Sequence, residues 1–427
     1  MMEAEAGTAP RDTADVEQVE ILRLAAGGDG VGRWGDGRAV FVPRTAPGDV
    51  VEVGAHRVYR RRIAGRSRRI VSAGPGRVSP RCAHYDRDGC GGCQLQHVAL
   101  PVQHQAKRAM VGDALRRIGK IDWPDPEVVS GGAPWGYRNK ITLTRTASGS
   151  GFGFHRWDRP DEVFELSRCE IAAAELNTLW ASVRQRLDAL PPDADRVVLR
   201  LDRDGARHIV ASGAGGGEWA RAAQLASDLE AEGLPTSVWY EPAGRPVRLL
   251  AGPPSDHRAT VFEQVNPVMG ARVRRDAIAE LGSVTGRHVW DLYAGVGDAS
   301  RLLAEAGATV EAVERDPLAG EQTRQAAGGL PITWYHGEVE TVLTALRPSD
   351  HVLVNPPRAG LSRVASGRLA DRGPRRIVYV SCDPATLARD LGQLVVSGAG
   401  YQVTQVRAYD LFPQTAHVET MARVDRP

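Results

Sequence analysis

The stretch VYVSCDPATLARD, residues 378–390, sets a cysteine where an apolar β-branched run ends and a proline opens a helix-like segment. Cys382 therefore falls at the C-terminal lip of a predicted strand, the edge at which open α/β sheets bind ligands. A thiolate there is a nucleophile, and a place just before a helix N-terminus is expected to lower its pKa. The other four cysteines form a second constellation: Cys82, Cys90 and Cys93 in CAHYDRDGCGGC, and Cys169 in SRCEI. Four converging thiolates can hold a metal centre, and the glycines of CGGC let the backbone fold around it. Ligand type alone leaves zinc and an iron–sulfur cluster open. Seven residues separate Cys82 from Cys90, which is not the short three-cysteine loop of radical enzymes.

A third constellation lies in RHVWDLYAGVGDAS. It predicts a strand ending at Asp291, a turn at Gly295 and Gly297, and a helix RLLAEAG stopped by Gly307. The next strand, ATVEAVE, ends on Glu314, and ERDPLAG begins another helix. The glycines let backbone approach a ligand, and an acidic group ending the second strand can accept from both hydroxyls of a ribose. With no GxGxxG to bind a pyrophosphate, the signature is similar to that of class I methyltransferases and S-adenosylmethionine. Strand HVLVN then runs into NPPRAGL, and YQVTQVRAY and HVETMARV fit the antiparallel close of that fold.

These segments need a scaffold, and 427 residues suggest two to four domains. Residues 256–427 read as the methyltransferase domain. Residues 75–255 read as a central α/β domain, with YRNKITLTR, GSGFGFHRW and RVVLRLDRDGARHIVASG as strands, 171–189 and 218–232 as helices, and EPAGRPVRLLAGPP as its exit. Residues 16–74 carry short strands, VEQVEILRL, GRAVFVP, DVVEVGAHRVY and RRIVSAG, separated by turns such as GGDGVG and APGD, and read as a small β-barrel of an RNA-binding kind. Residues 1–15 read as a disordered tail.

Lys+Arg of 54 against Asp+Glu of 52 leaves a net charge of +2, which by itself says nothing about an anionic partner. The distribution says more: between Glu52 and Asp86 there is no acidic residue, while Arg57, Arg60, Arg61, Arg62, Arg66, Arg68, Arg69, Arg77 and Arg81 fall in that window. Because it lies on predicted strands, such a run reads as a phosphate-contacting surface ahead of a solvated charged face or a flexible linker. No signal peptide or membrane span is evident, so a cytoplasmic protein without membrane contact is expected, in which a disulfide is disfavoured.

CGGCQLQH, FEQVNP, DLYAGVG, NPPRAGL, SCDPATLARD and FPQTAHVE occur in this order, and from 16 to 425 the chain resembles the RNA 5-methyluridine (uracil-C5) methyltransferase family. The N-terminal barrel resembles its OB-like TRAM domain. The resemblance implies an α/β protein with a C-terminal class I (Rossmann-like) domain, and a [4Fe–4S] cluster on Cys82, Cys90, Cys93 and Cys169. It implies a nucleophile at Cys382 and a general base at Glu419, and it places Gln264, Tyr293, Gly295, Gly297, Glu314, Glu338 and Asn355 around S-adenosylmethionine or the target base. Many members have Cys at Ala294, Asp at Asn355 and Asn at Asp383. A monomer acting on RNA is expected, with large-subunit ribosomal RNA favoured over transfer RNA because members with both barrel and cluster resemble the ribosomal enzymes. Arg138 and Lys140 of GYRNK are further candidates to hold the RNA. The competing reading is a non-catalytic RNA-binding iron–sulfur protein, against which intact Cys382 and Glu419 argue.

Overall fold

The computed structural model describes residues 16–213, 218–255, 263–317, 319–320 and 328–426. The expected N-terminal tail and part of the helix read after ERDPLAG lie outside the described residues. The chain divides into two compact units, one comprising residues up to Met110 together with Phe412–His417, the other Val111–Leu411 with the segment from Val418 onward.

The first unit is built on a six-stranded sheet, β1 (Val16–Glu20), β2 (Arg23–Leu24), β3 (Gly30–Arg33), β4 (Ala39–Val42), β5 (Val50–Val58) and β6 (Arg62–Ser72), in the order β1-β5-β6-β4-β3-β2. Its two edges, β1 and β2, are one stretch of chain broken at Ile21 and Leu22, so the sheet rolls back on itself into a barrel. Period-2 alternation sends Val19, Val40, Val42, Val51, Val53 and Ile63 inward, and they pack with Trp34 as a closed core. The sequence reading took GGDGVG as a turn, but its second half is strand β3. A Cβ on Gly30 would meet Thr45 Oγ1 at 2.1 Å and one on Gly32 would meet Val19 Cγ1 at 2.2 Å, so glycine is there for packing, not turning. Beyond the barrel a helix missed in the sequence, Leu100–Arg117, begins. Its buried Gln103 donates to Leu95 O and Val98 O and pairs with Gln414, holding Phe412–His417 to the segment after the cysteines.

The second unit carries two sheets. One joins β8 (Lys140–Arg145), β9 (Phe152–His155), β10 (Val163–Glu165), β11 (Ala194–Leu201), β12 (Arg207–Gly213), β13 (Thr236–Pro242) and β14 (Arg248–Ala251), in the order β10-β9-β8-β11-β12-β13-β14. The stretch EPAGRPVRLLAGPP, read as an exit, holds the end of β13 and the whole of β14, the last strand of this sheet. The helices are Ala174–Arg184 and Ala222–Ala231, shorter than expected. Residues 171–172 stay out of the first because Arg138 N donates to Ile171 O, and Asn177 Nδ2 turns back onto Cys169 O and Ala172 O.

The other sheet holds β15 (His288–Leu292), β16 (Thr309–Glu314), β17 (Ile332–His336), β18 (His351–Val354), β19 (Arg376–Ser381), β20 (Gln402–Tyr409) and β21 (Glu419–Asp425), joined by β7 (Val128–Val129), in the order β17-β16-β15-β18-β19-β21-β20-β7. Five strands, β15 to β19, are parallel; β21 and β20 close the sheet antiparallel. After β15 the chain moves outward through β16 and β17, then returns to β18 on the other side. The crevice between the carboxyl ends of β15 and β18 is thus the switch point at which such sheets bind ligands. Buried Trp290, Val352, Val354, Ile377, Tyr379, Leu387 and Leu391 form the core beneath this edge. Near-continuous apolar strands are what a sheet covered on both faces requires.

Candidate active site

The glycine loop follows β15. Asp291 is buried, accepts from Ser300 Oγ at 2.5 Å, and so ties the strand to the helix Asp298–Glu305; burial pushes its carboxyl up to about 6. Tyr293 has φ +62°, a left-handed conformation that a bulky residue adopts at a cost of about 1–3 kcal/mol, the kind of strain that gathers at functional sites. Gly295 and Gly297 continue with φ +57° and +73°, and a Cβ on Gly295 would meet only open space. Glu314, at the end of β16, accepts from Gly295 N at 2.9 Å with Oε2, and from Arg315 N and Asp316 N, each at 2.9 Å, with Oε1. Three backbone N–H groups thus brace the carboxylate at the loop.

The remaining cofactor candidates ring the same edge of the sheet. Glu338 precedes the short helix Val339–Val342 and lies 3.5 Å from Arg315. Asn355 is exposed just beyond β18, and its backbone N donates to Leu292 O at the end of β15. Gln264 is half-buried ahead of the helix Pro267–Leu281, and is not its cap: Asn266 Oδ1 takes Met269 N. Asp298 opens its helix and pairs with Arg274 at 2.9 Å and Arg203 at 3.4 Å. Arg203 belongs to an ion-pair chain through Glu263 to the buried Arg200, which nothing in the sequence signalled.

Cys382 follows β19 directly. Asp383 caps the helix Pro384–Val396, accepting from Ala385 N at 2.8 Å and Thr386 N at 3.0 Å. In the antiparallel pair β19–β21, Ser381 stands opposite Thr420, so one further residue brings Cys382 level with Glu419. Glu419 is 2% exposed, and its Oε2 has no hydrogen-bond partner among the described residues. Desolvation pushes its carboxyl up to about 7. The thiol behaves otherwise than the sequence led one to expect: burial, with the charges of Glu419 and Asp383, raises the Cys382 pKa, and Arg358 opposes them. The helix N-terminus does not prevail because burial of the thiol, followed by the charge of Glu419, outweighs it.

Cys82, Cys90 and Cys93, in the first unit, and Cys169, in the second, are buried and outside any disulfide. Gly92 N donates to Cys90 Sγ at 3.4 Å within the CGGC turn. Among the described residues no three His, Cys, Asp or Glu side chains gather to hold a metal ion. A four-iron cluster gives each thiolate its own iron, so its ligands stand further apart than those around an ion. Four thiolates are donors that suit zinc and a four-iron cluster alike.

The arginine run is divided. Arg57, Arg60, Arg61, Arg62, Arg66, Arg68, Arg69 and Arg81 are exposed. Arg77 leaves the set: it is committed to the buried carboxylate of Asp49 at 2.6 Å. Arg69 pairs with Glu52 at 2.5 Å. Arg138 and Lys140 flank the start of β8; the Arg138 guanidinium folds back onto Lys140 O, and burial beside Arg200, Arg138 and Arg196 lowers the Lys140 pKa. No helix among the described residues is long and apolar enough to cross a membrane.

Residues 342–426 match the family described as tRNA (Uracil-5-)-methyltransferase, and residues 11–66 match the TRAM domain. The 23S rRNA (uracil(1939)-C(5))-methyltransferase RlmD of Azoarcus sp. is 33% identical over 94% of this chain and 97% of its own length. The RlmD of Chromohalobacter salexigens is 30% identical over 97% and 90%. Among solved structures, the Pyrococcus abyssi tRNA (uracil-54, C5)-methyltransferase in complex with S-adenosyl-L-homocysteine superimposes with a TM-score of 0.71, covering 96% of this chain and 100% of that one at 23% identity, a likeness of fold. With a class I sheet ending at Cys382 and Glu419, a TRAM barrel at its start, and relatives of 30–33% identity along nearly its whole length, the chain belongs to the S-adenosylmethionine-dependent RNA uracil-C5 methyltransferases.

Proposed function

We propose that the enzyme methylates C5 of a uridine in large-subunit ribosomal RNA, with Cys382 as nucleophile and Glu419 as base. The observation that carries the chemistry is the pairing of a thiol at a strand end with a buried carboxyl one register step across from it. Uracil C5 is too poor a nucleophile to attack a methyl group unaided. The Cys382 thiolate adds to C6, and the C5–C6 π electrons become available at C5 as an enolate. The cofactor supplies the methyl group as a sulfonium, the S–CH3 bond pair leaving with the sulfur. Glu419 then takes the C5 proton; that electron pair re-forms the C5–C6 double bond and expels the Cys382 thiolate. A base whose pKa has risen to about 7 is matched to a proton transfer near neutrality. Gly295, open where a Cβ would stand, and Gly297 shape the loop beside the cofactor, Glu314 accepts from its ribose, and Tyr293, Gln264, Glu338 and Asn355 surround cofactor and base. A nucleotide within folded RNA is extruded to reach this edge, at a cost on the order of a few kcal/mol.

Ribosomal RNA is favoured by the RlmD names of relatives that align over nearly the full chain. Cys82, Cys90 and Cys93, with Cys169 as the fourth thiolate the resemblance implies, hold a [4Fe–4S] cluster whose part is structural, since methyl transfer from a sulfonium is redox-neutral. Protein purified without oxygen should contain iron and labile sulfide and lose them in Cys90→Ser; zinc without iron would overturn the assignment.

The test of the mechanism is a pair of variants. Cys382→Ala should abolish methylation and retain RNA binding. Glu419→Gln should carry the reaction to the methylated adduct and stop, leaving RNA on the protein after denaturation. Normal turnover by the Gln variant, or an adduct formed without Cys382, would show the roles to be wrong.

A further inference from the structure

The turn after β18 carries a cation that the scheme above leaves unused. Gly360 N donates to Pro357 O at 2.8 Å, closing the turn over Arg358 and Ala359. The residues that follow are fixed to the helix Pro384–Val396. Arg389 Nη2 donates to Ala359 O at 2.8 Å and Leu361 O at 3.1 Å, and Leu361 N donates to Asp390 Oδ2 at 2.7 Å. That oxygen also takes the Tyr379 hydroxyl at 2.7 Å, from the middle of β19. Two arginines thus stand near this edge with opposite assignments. Arg389 is consumed by the loop carbonyls and Asp390. Arg358 is exposed, and no hydrogen bond or ion pair engages its guanidinium among the described residues.

Strands β18 and β19 are parallel neighbours with Val354 beside Tyr379, so the turn carrying Arg358 and the residue Cys382 leave the sheet at the same edge. The charged groups facing the thiol are Glu419 from β21, Asp383 from the helix start, and Arg358 from this turn. Two carboxylates oppose a thiolate there and one guanidinium favours it. Four hydrogen bonds fixing the backbone beyond an exposed arginine are more than a solvated surface charge needs.

We propose that Arg358 is a positioning residue for the nucleophile: from a turn whose backbone is held by Arg389 and Asp390, at the sheet edge it shares with Cys382, its guanidinium sustains the thiolate against Glu419 and Asp383. This rests on Cys382 being the nucleophile. The test is made on the full chain without RNA or cofactor, by pulsed iodoacetamide alkylation across pH, read on the Cys382 peptide by mass spectrometry. In Arg358→Gln and Arg358→Met the alkylation midpoint should move up by about half to one pH unit, with Arg358→Lys close to wild type. Melting temperature and S-adenosylmethionine binding should be unchanged in all three. Profiles that overlay wild type in both neutral variants overturn the inference; overlaid profiles with weakened RNA binding would make Arg358 a phosphate contact instead. Methylation by Cys382→Ala separates the two failures, because retained activity there would overturn the nucleophile assignment whatever the alkylation profiles show.

Discussion

Glu419 is buried with one oxygen unpartnered, and its carboxyl rises from 4.5 to about 7. A group whose folded pKa is raised binds its proton more tightly in the folded state. Its contribution to stability is therefore intact below about 4.5, falls as pH rises, and has been lost above about 7, a swing on the order of 3 kcal/mol. Glu419→Gln removes the charge, so it should melt higher than wild type at pH 8, with the gap closing toward pH 4.5. A gap independent of pH would mean that the carboxyl is solvated. Catalysis carries the opposite sign: the base works only when ionised, so methylation should rise with pH through about 7, and the raised Cys382 thiol extends the rise into the alkaline range. The sequence announced Cys382 and Glu419 by motif, yet gave no sign of either shift. A strand-end carboxylate reads as solvent-facing, and its burial here is a property of the folded chain without a local signal.

At the scale of elements, the legible parts were those with a strong local period or a stop signal. Strands β15, β16, β18, β19, β20 and β21 were readable as apolar or alternating runs, and the helix Asp298–Glu305 ends ahead of Gly307 at φ +90°. Strand β3 was misread because Gly30 and Gly32 answer to Thr45 and Val19 across the barrel, a tertiary cause without local trace. Asp383 had no assigned role in the sequence; the structure makes it an N-cap. Asp383→Ala should cost about 0.5–2 kcal/mol in denaturant unfolding, and Asp383→Asn, which keeps the acceptor oxygen, much less. Equal costs would show that the charge, not the cap, is at issue. The stretch Phe412–His417, directly ahead of Glu419, depends on a reciprocal amide pair: Gln103 Nε2 donates to Gln414 Oε1 at 3.0 Å, and Gln414 N donates to Gln103 Oε1 at 3.1 Å. Gln414 holds φ +68° there. Gln103→Leu should lose about 1–3 kcal/mol of stability, because Gln414 keeps its buried groups and loses their partner. Restored stability in Gln103→Leu, Gln414→Leu would show the pair to be replaceable packing.

For the whole molecule, a net charge of +2 gives almost no general attraction to RNA, so binding has to come from where the cations are placed. The barrel concentrates them on strands β5 and β6 and the turn that joins them, where Arg57, Arg60, Arg61, Arg66 and Arg68 are exposed, while Arg69, also exposed, pairs with Glu52 and Arg77 is committed to Asp49. If the exposed set meets phosphates, each contact releases counterions and adds to the salt dependence of binding. Replacing Arg60, Arg61 and Arg68 by Gln should weaken binding to a ribosomal RNA fragment and flatten the slope of log K against log salt by roughly 2, at about 0.7 per lost phosphate contact. All three are exposed, so the melting temperature should hold. S-adenosylmethionine binding should hold as well, since its candidate residues lie beyond residue 263 on the other compact unit. An unchanged slope with unchanged affinity would remove the barrel as the RNA handle and leave Arg138 and Lys140 beside β8 as the next cations to replace.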